Sequence, residues 1–348
     1  MSVVSREDFM EEGKAMEIGV IGAGSWGTTL ADLLAKKGFA VTLWAYEKDL
    51  VERMGRSREN DLYLPGVALS ENLSFTSDLT EAVAAKNVLV LVPPSQIMRQ
   101  VMSRAVPHIA PETVVVSASK GIENETLQTM SEVLNDLLAP DLNGRLAFLS
   151  GPSFAREVAA GMPTAVVAAS ADSEIARKVQ GIFSTESFRV YTNDDVIGVE
   201  LGGALKNVIA LAAGVSDGLG FGYNTRAALI TRGLAEMTRI GVAMGANPAT
   251  FSGLAGMGDL VLTCTGDLSR NRTVGMELGR GRSLEEILAG MNMVAEGVKT
   301  TLSTFQLAQK LQIEVPIVEQ MYLILYQGKE ARQAVNDLML RELKPEGV

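Results

Sequence analysis

Glu17-Ile-Gly-Val-Ile-Gly22-Ala-Gly24-Ser25-Trp26-Gly27, running on through Thr-Thr-Leu-Ala-Asp-Leu-Leu-Ala-Lys-Lys37, is the stretch that decides the fold. A β-branched run, Glu17–Ile21, meets a glycine turn that opens a helix over Ser25–Lys37. Gly22 permits the tight turn, Gly24 lets the backbone approach a pyrophosphate, and Gly27 allows the helix to pack closely on the strand. The N–H groups at the helix start would then receive the diphosphate. Glu47 stands 20 residues after Gly27, just past a strand at Ala40–Ala45, where a carboxylate can bind the adenosine ribose hydroxyls. Two alternatives stay open there: Tyr46 holds the position, or Glu47 caps a helix. A Glu47 that faces the ribose repels a 2′-phosphate and favours NAD over NADP, whereas the neighbouring Lys48 works the other way.

Outward from this unit, further apolar runs lie at Val88–Val92, Thr113–Ser117, Leu146–Ser150, Ala165–Ala169 and Phe188–Tyr191. Helix-compatible stretches such as Ser95–Val106 and Ser173–Phe183 separate them, which predicts a parallel sheet covered on both faces. Beyond Asp194 the strand pattern fades and helical periodicity takes over, as in Asn224–Met244, Ser283–Ala289 and Ala295–Leu311. The expectation is a polar leader over 1–16 outside the fold, an α/β dinucleotide-binding domain over 17–196 and an all-helical domain over 197–348. The loops Val92-Pro-Pro-Ser95, Ser117-Ala-Ser-Lys120-Gly121 and Ser150-Gly151-Pro-Ser153-Phe-Ala155 all leave strands at the carboxyl edge, beside the cofactor crevice.

Composition narrows the chemistry. The chain has 348 residues, one cysteine, one histidine and a formal charge of −10. Cys264 alone cannot form an intrachain disulfide or a cysteine zinc cluster, which fits a reducing, cytoplasmic setting. Two-histidine metal sites are excluded, so proton transfer falls to His108, a carboxylate, a tyrosine or a lysine. His108 lies in Val-Pro-His-Ile-Ala-Pro, a surface turn between prolines. No basic stripe suits nucleic acid. The longest uncharged stretch, Ile240–Gly258, holds a proline and five glycines and reads as no membrane span.

Two charged residues sit in apolar surroundings. Lys206 is the lone ionisable group between Glu200 and Asp217, with Gly202 and Gly203 one turn back leaving space for another element or a ligand. Burial would bring its pKa toward the range useful for proton transfer, and a structural ion pair or a snorkelling lysine is the bland alternative. Asp259 follows three glycines in Gly253-Leu-Ala-Gly-Met-Gly-Asp259 and would share a helix face with Thr263, unless it serves only as an N-cap. Ser269-Arg270-Asn271-Arg272 offers a hydroxyl, guanidinium groups and a helix start, a combination that suits a phosphate.

Taken together, Gly-Ala-Gly-Ser-Trp-Gly at 22–27, Ser-Lys-Gly at 119–121, Gly-Pro-Ser at 151–153, Leu-Lys-Asn at 205–207, the Asp259 and Ser269–Arg272 motifs and Val-Ala-Glu-Gly at 294–297 resemble glycerol-3-phosphate dehydrogenase [NAD(P)+], most of all its bacterial cytosolic branch. The resemblance runs from about residue 17 to 340. It implies a Rossmann-like doubly wound, mostly parallel sheet followed by a helical domain like the C-terminal part of 6-phosphogluconate dehydrogenase. It implies reduction of dihydroxyacetone phosphate to sn-glycerol 3-phosphate, feeding phospholipid synthesis, with NAD or NADP as cofactor and no metal. Lys206 would donate the proton. Lys120, Gly151, Ser153, Asn207, Asp259, Thr263, Ser269, Arg270 and Asn271 would contact substrate. The cofactor would meet Ser25, Trp26, Tyr46, Lys120, Ala155, Arg270, Val294 and Glu296, besides the glycines and Glu47. A homodimer, with no nucleic acid and no membrane insertion, completes what the resemblance implies.

Two rival readings share the layout. One is a β-hydroxyacid or 6-phosphogluconate-type dehydrogenase, against which the Asp259 and Ser269–Arg272 motifs argue. The other is a non-catalytic dinucleotide sensor, in which Lys206, Asp259 and Arg270 would have no reason to converge.

Overall fold

The structure, a computed structural model, describes residues 16–291, 295–343 and 345–346. The expected leader therefore lies outside the described residues except for Met16, which is buried in the core beside the sheet rather than apart from the fold.

Eight strands form one sheet: β1 (Glu17–Ile21), β2 (Ala40–Trp44), β3 (Leu73–Thr76), β4 (Val88–Leu91), β5 (Val114–Ser117), β6 (Leu146–Ser150), β7 (Thr164–Ala169) and β8 (Phe188–Asn193). Their order is β3-β2-β1-β4-β5-β6-β7-β8, doubly wound from β1. All neighbours are parallel except β6 and β7, which run antiparallel. The parallel arrangement expected there fails for a physical reason. Residues 151–163 between them carry only a five-residue helix, too little to cross back over the sheet. The short strand β3, Leu-Ser-Phe-Thr, lies at the sheet edge and escaped the reading of apolar runs.

Each sheet face has its own core. Leu30, Leu34, Val179 and Phe183 cover one side; Met98, Met102, Val133 and Leu134 cover the other. A third cluster, centred on the helix Val196–Gly218, fills the helical half. That helix is long and apolar enough to cross a membrane by length and composition, yet 83% of its most apolar window is buried inside the protein.

Glycines let this helix be approached on two sides. A Cβ at Gly202 would lie 2.5 Å from the Ala255 carbonyl oxygen, and one at Gly203 would lie 2.6 Å from Ser150 Oγ. Farther along, Gly214 and Gly218 face Gly275 and Gly279 of the helix Arg270–Gly279, so the two helices pack backbone against backbone. The result sets the first half of the long helix against the carboxyl end of β6 and the Lys120 loop that follows β5.

Candidate active site

The turn after β1 has the geometry its glycines predict. Gly22 adopts φ 114°, outside the range comfortable for other residues, and a Cβ there would press on the Val92 carbonyl at 2.9 Å. A Cβ at Gly27 would overlap the Gly22 carbonyl oxygen. Gly24, by contrast, has open space in front of it, as a backbone that receives a pyrophosphate requires. These residues fit a dinucleotide. Gly24 is also the N-cap of the helix Ser25–Lys36 and makes no side-chain cap, which keeps the helix start accessible to an anion.

Glu47 begins the helix Lys48–Ser57 at its N-cap position but makes no capping bond. Its carboxylate accepts a hydrogen bond from the Tyr63 hydroxyl at 2.9 Å, and the Tyr63 carbonyl in turn accepts one from Ser25 Oγ. Tyr63 thus ties the glycine turn to Glu47, a link no local pattern announced. Tyr46 is 77% exposed and edge-on to Trp44. The Trp26 ring turns toward the sheet core, 6.4 Å from that of Phe188. The Ala155 carbonyl accepts a hydrogen bond from Thr29 Oγ1, joining the Gly151–Ala155 loop to the first helix. Val294 lies outside the described residues.

The charged residues converge on Asp259. Lys206 Nζ donates to Asp259 Oδ1 at 2.5 Å and to Thr263 Oγ1 at 3.0 Å. Lys120 Nζ donates to Asp259 Oδ2 at 2.6 Å and to the Gly151 carbonyl at 3.2 Å. Asp259 is the first residue of its helix and spends its carboxylate on the two ammonium groups, so it is no N-cap. Ser153 Oγ donates to the same Gly151 carbonyl. Burial lowers the Lys206 pKa to about 8 against the pull of Asp259. Burial also works to raise the pKa of Asp259, but Lys120 and Lys206 outweigh it and hold the carboxyl below its ordinary value.

A second chain of hydrogen bonds joins three helices. Asn271 Nδ2 donates to Asn207 Oδ1 at 2.9 Å, and Asn271 Oδ1 accepts from the Gly297 N–H at 3.0 Å. Glu296 therefore stands one residue from this chain. Burial raises its pKa, offset by the charges of Arg270, Lys206 and Lys120. Ser269 Oγ caps the N–H of Arg272, and the Arg272 guanidinium pairs with Asp217 and Asp267. The second arginine of the Arg-x-Arg pair is therefore structural, while Arg270 lies exposed on the first helical residue. His108 is exposed on a short helical turn away from these groups. Burial pushes the Cys264 thiol up to about 12, so it stays protonated. Among the described residues, no group of three histidine, cysteine, aspartate or glutamate side chains is placed to hold a metal.

Lys206, Lys120, Asp259, Thr263 and the Asn207–Asn271 pair thus share one site at the carboxyl edge of the sheet. Lys206 and Asp259 meet as the dehydrogenase reading expects, which counts against the sensor reading.

Family models for the N-terminus and the C-terminus of NAD-dependent glycerol-3-phosphate dehydrogenase match residues 17–176 and 195–336. A glycerol-3-phosphate dehydrogenase [NAD(P)+] of Syntrophotalea carbinolica is 69% identical over 331 residues, covering 95% of this chain and 99% of the relative. One from Citrifermentans bemidjiense is 65% identical, covering 96% and 100%. The crystal structure of glycerol-3-phosphate dehydrogenase from Coxiella burnetii superposes with a TM-score of 0.90 at 42% identity, over 94% of this chain and 99% of that one.

Proposed function

The chain belongs to the NAD-dependent glycerol-3-phosphate dehydrogenase family, and from that premise we propose that Lys206 is its acid–base group and the Asp259 cluster its reacting centre. The protein is an NAD(P)-dependent oxidoreductase of that activity. In the direction we propose, it reduces dihydroxyacetone phosphate to sn-glycerol 3-phosphate. The observation that carries the reading is the pair of ammonium groups, Lys206 and Lys120, held on one buried carboxylate.

The residues that would hold the cofactor are Gly22, Gly24, Ser25, Trp26, Gly27, Tyr46, Glu47, Lys120, Ala155, Arg270 and Glu296, with Val294 by resemblance. When bound, the reduced nicotinamide supplies a hydride to the ketone carbon. Negative charge then grows on the carbonyl oxygen, where the Lys206 ammonium stabilises it and delivers the proton from Nζ. Asp259 and Thr263 fix the direction of that ammonium. Lys120 adds a second positive charge on the substrate side, with Gly151 and Ser153 forming the wall. Arg270, Ser269 and Asn271 receive the phosphate at a helix start, and that remote contact orients the ketone for reaction.

A cytoplasmic homodimer that supplies glycerophospholipid synthesis, with residues 17–196 binding cofactor and 197–348 binding substrate, is the setting we propose. The test is direct. NADH mixed with dihydroxyacetone phosphate and the protein should lose its absorbance, and no loss with NADH or NADPH would overturn the reading.

A further inference from the structure

Lys120 is carried by a loop, residues 118–129, that has almost no secondary structure, yet its ammonium must meet Asp259 at hydrogen-bond distance. The anchors of that loop come from the segment after β4. Ser119 Oγ donates to the Pro93 carbonyl at 2.6 Å. Gln96 clamps the loop with both ends of its amide: Nε2 donates to the Ile122 carbonyl at 2.7 Å, and Oε1 accepts from the Asn124 N–H at 3.0 Å. One turn further, Arg99 grips the carboxylate of Glu123 from Nε and Nη2 at 2.9–3.1 Å and reaches Gln128 Oε1 at 2.5 Å. Glu123 is buried, and Thr126 Oγ1 donates to the same carboxylate at 2.6 Å. A bidentate guanidinium–carboxylate pair fixes orientation as well as distance, which a single lysine contact does not.

We propose that Arg99 and Glu123 are positioning residues of the dehydrogenase reaction: their pair fixes the loop that aims Lys120 at Asp259 and the substrate. Neither side chain reaches the reacting centre, so both act through Lys120. The inference rests on the reading of Lys120 as a substrate contact.

A double-mutant cycle tests it, with KM for dihydroxyacetone phosphate and kcat read separately. Arg99→Ala should lower kcat/KM about tenfold, mainly through KM, because a displaced Lys120 ammonium makes a weaker contact with bound substrate. In a Lys120→Ala background the same substitution should cost almost nothing further. Arg99→Lys should recover only part of the loss, since an ammonium cannot reproduce the fork. Should Arg99→Ala fail to yield folded protein, Glu123→Gln, which keeps size and one acceptor, enters the same cycle with a smaller expected loss. Losses that add in full would overturn the positioning role while leaving Lys120 at the site. A Lys120→Ala protein with unaltered kcat/KM would overturn both readings.

Discussion

One carboxylate, Asp259, shares two ammonium groups, and on the proposed acid–base role the proton on Lys206 sets the pH behaviour of the reaction. Burial brings that lysine to about 8. Reduction needs the charged form, so kcat/KM for dihydroxyacetone phosphate should fall as pH rises through about 8, while oxidation of glycerol 3-phosphate should climb through the same range. A profile flat from pH 7 to 9 in both directions would remove Lys206 from this role. Lys206→Met should bind NADH normally and lose about a hundred- to ten-thousand-fold in turnover, checked by NADH fluorescence and steady-state rates. Cofactor choice is also argued at single residues. With Glu47 held by Tyr63, Glu47→Ala should raise the NADPH-to-NADH efficiency ratio several-fold, and an unchanged ratio would count against a ribose contact. Lys206 was legible in the sequence because a lone charge in an apolar helix has few explanations. Its partners were less so: Asp259 lies 53 residues on and 139 from Lys120, and only tertiary structure joins them. Tyr63 gave no signal at all, since a tyrosine in a polar loop is ordinary.

Among elements, the crossing of the helices Val196–Gly218 and Arg270–Gly279 carries the geometry of the site, because it sets Asn271 against Asn207. A methyl at Gly275 would overlap the Leu211 carbonyl oxygen, and main chain cannot yield as a side chain does. Gly275→Ala gains helix propensity worth about 1 kcal/mol but should lose more to overpacking, on the order of 1–3 kcal/mol. The expected result is a lower melting midpoint together with a raised KM for dihydroxyacetone phosphate; a stabilised protein would refute the close crossing. Several element boundaries followed from pattern, as with β1 and the helix Ser173–Phe183. The antiparallel turn of β7 did not, since strand direction depends on the connecting chain rather than on the strand's own residues.

For the whole molecule, a buried glutamate, Glu236, and a half-buried one, Glu200, couple folding to pH. Glu236 accepts the N–H groups of Ile317 and Val318 at the start of another helix, and Glu200 accepts that of Ser131 across the two halves. Burial pushes both carboxyls up to about 7. A raised carboxyl pKa means that the folded form holds the proton more tightly than the unfolded chain. Its contribution is therefore full below about 4.5 and is lost as pH rises toward 7. Glu200→Gln and Glu236→Gln lack that dependence, so the gap in melting midpoint between wild type and each variant should narrow in the variant's favour from pH 5 to pH 8. A constant gap, followed by calorimetry, would mean that the carboxyls titrate normally.

Ile122 leaves the sheet half on the Lys120 loop and is buried in the core cluster of the helices. Neither half can be lent to another protein without it. A fragment ending near residue 195 would expose Ile122 to water, and the remainder would keep a hole where that side chain belongs. Gene fusions that exchange one half must carry the loop's docking surface with it, so the two halves are bound to change as a pair.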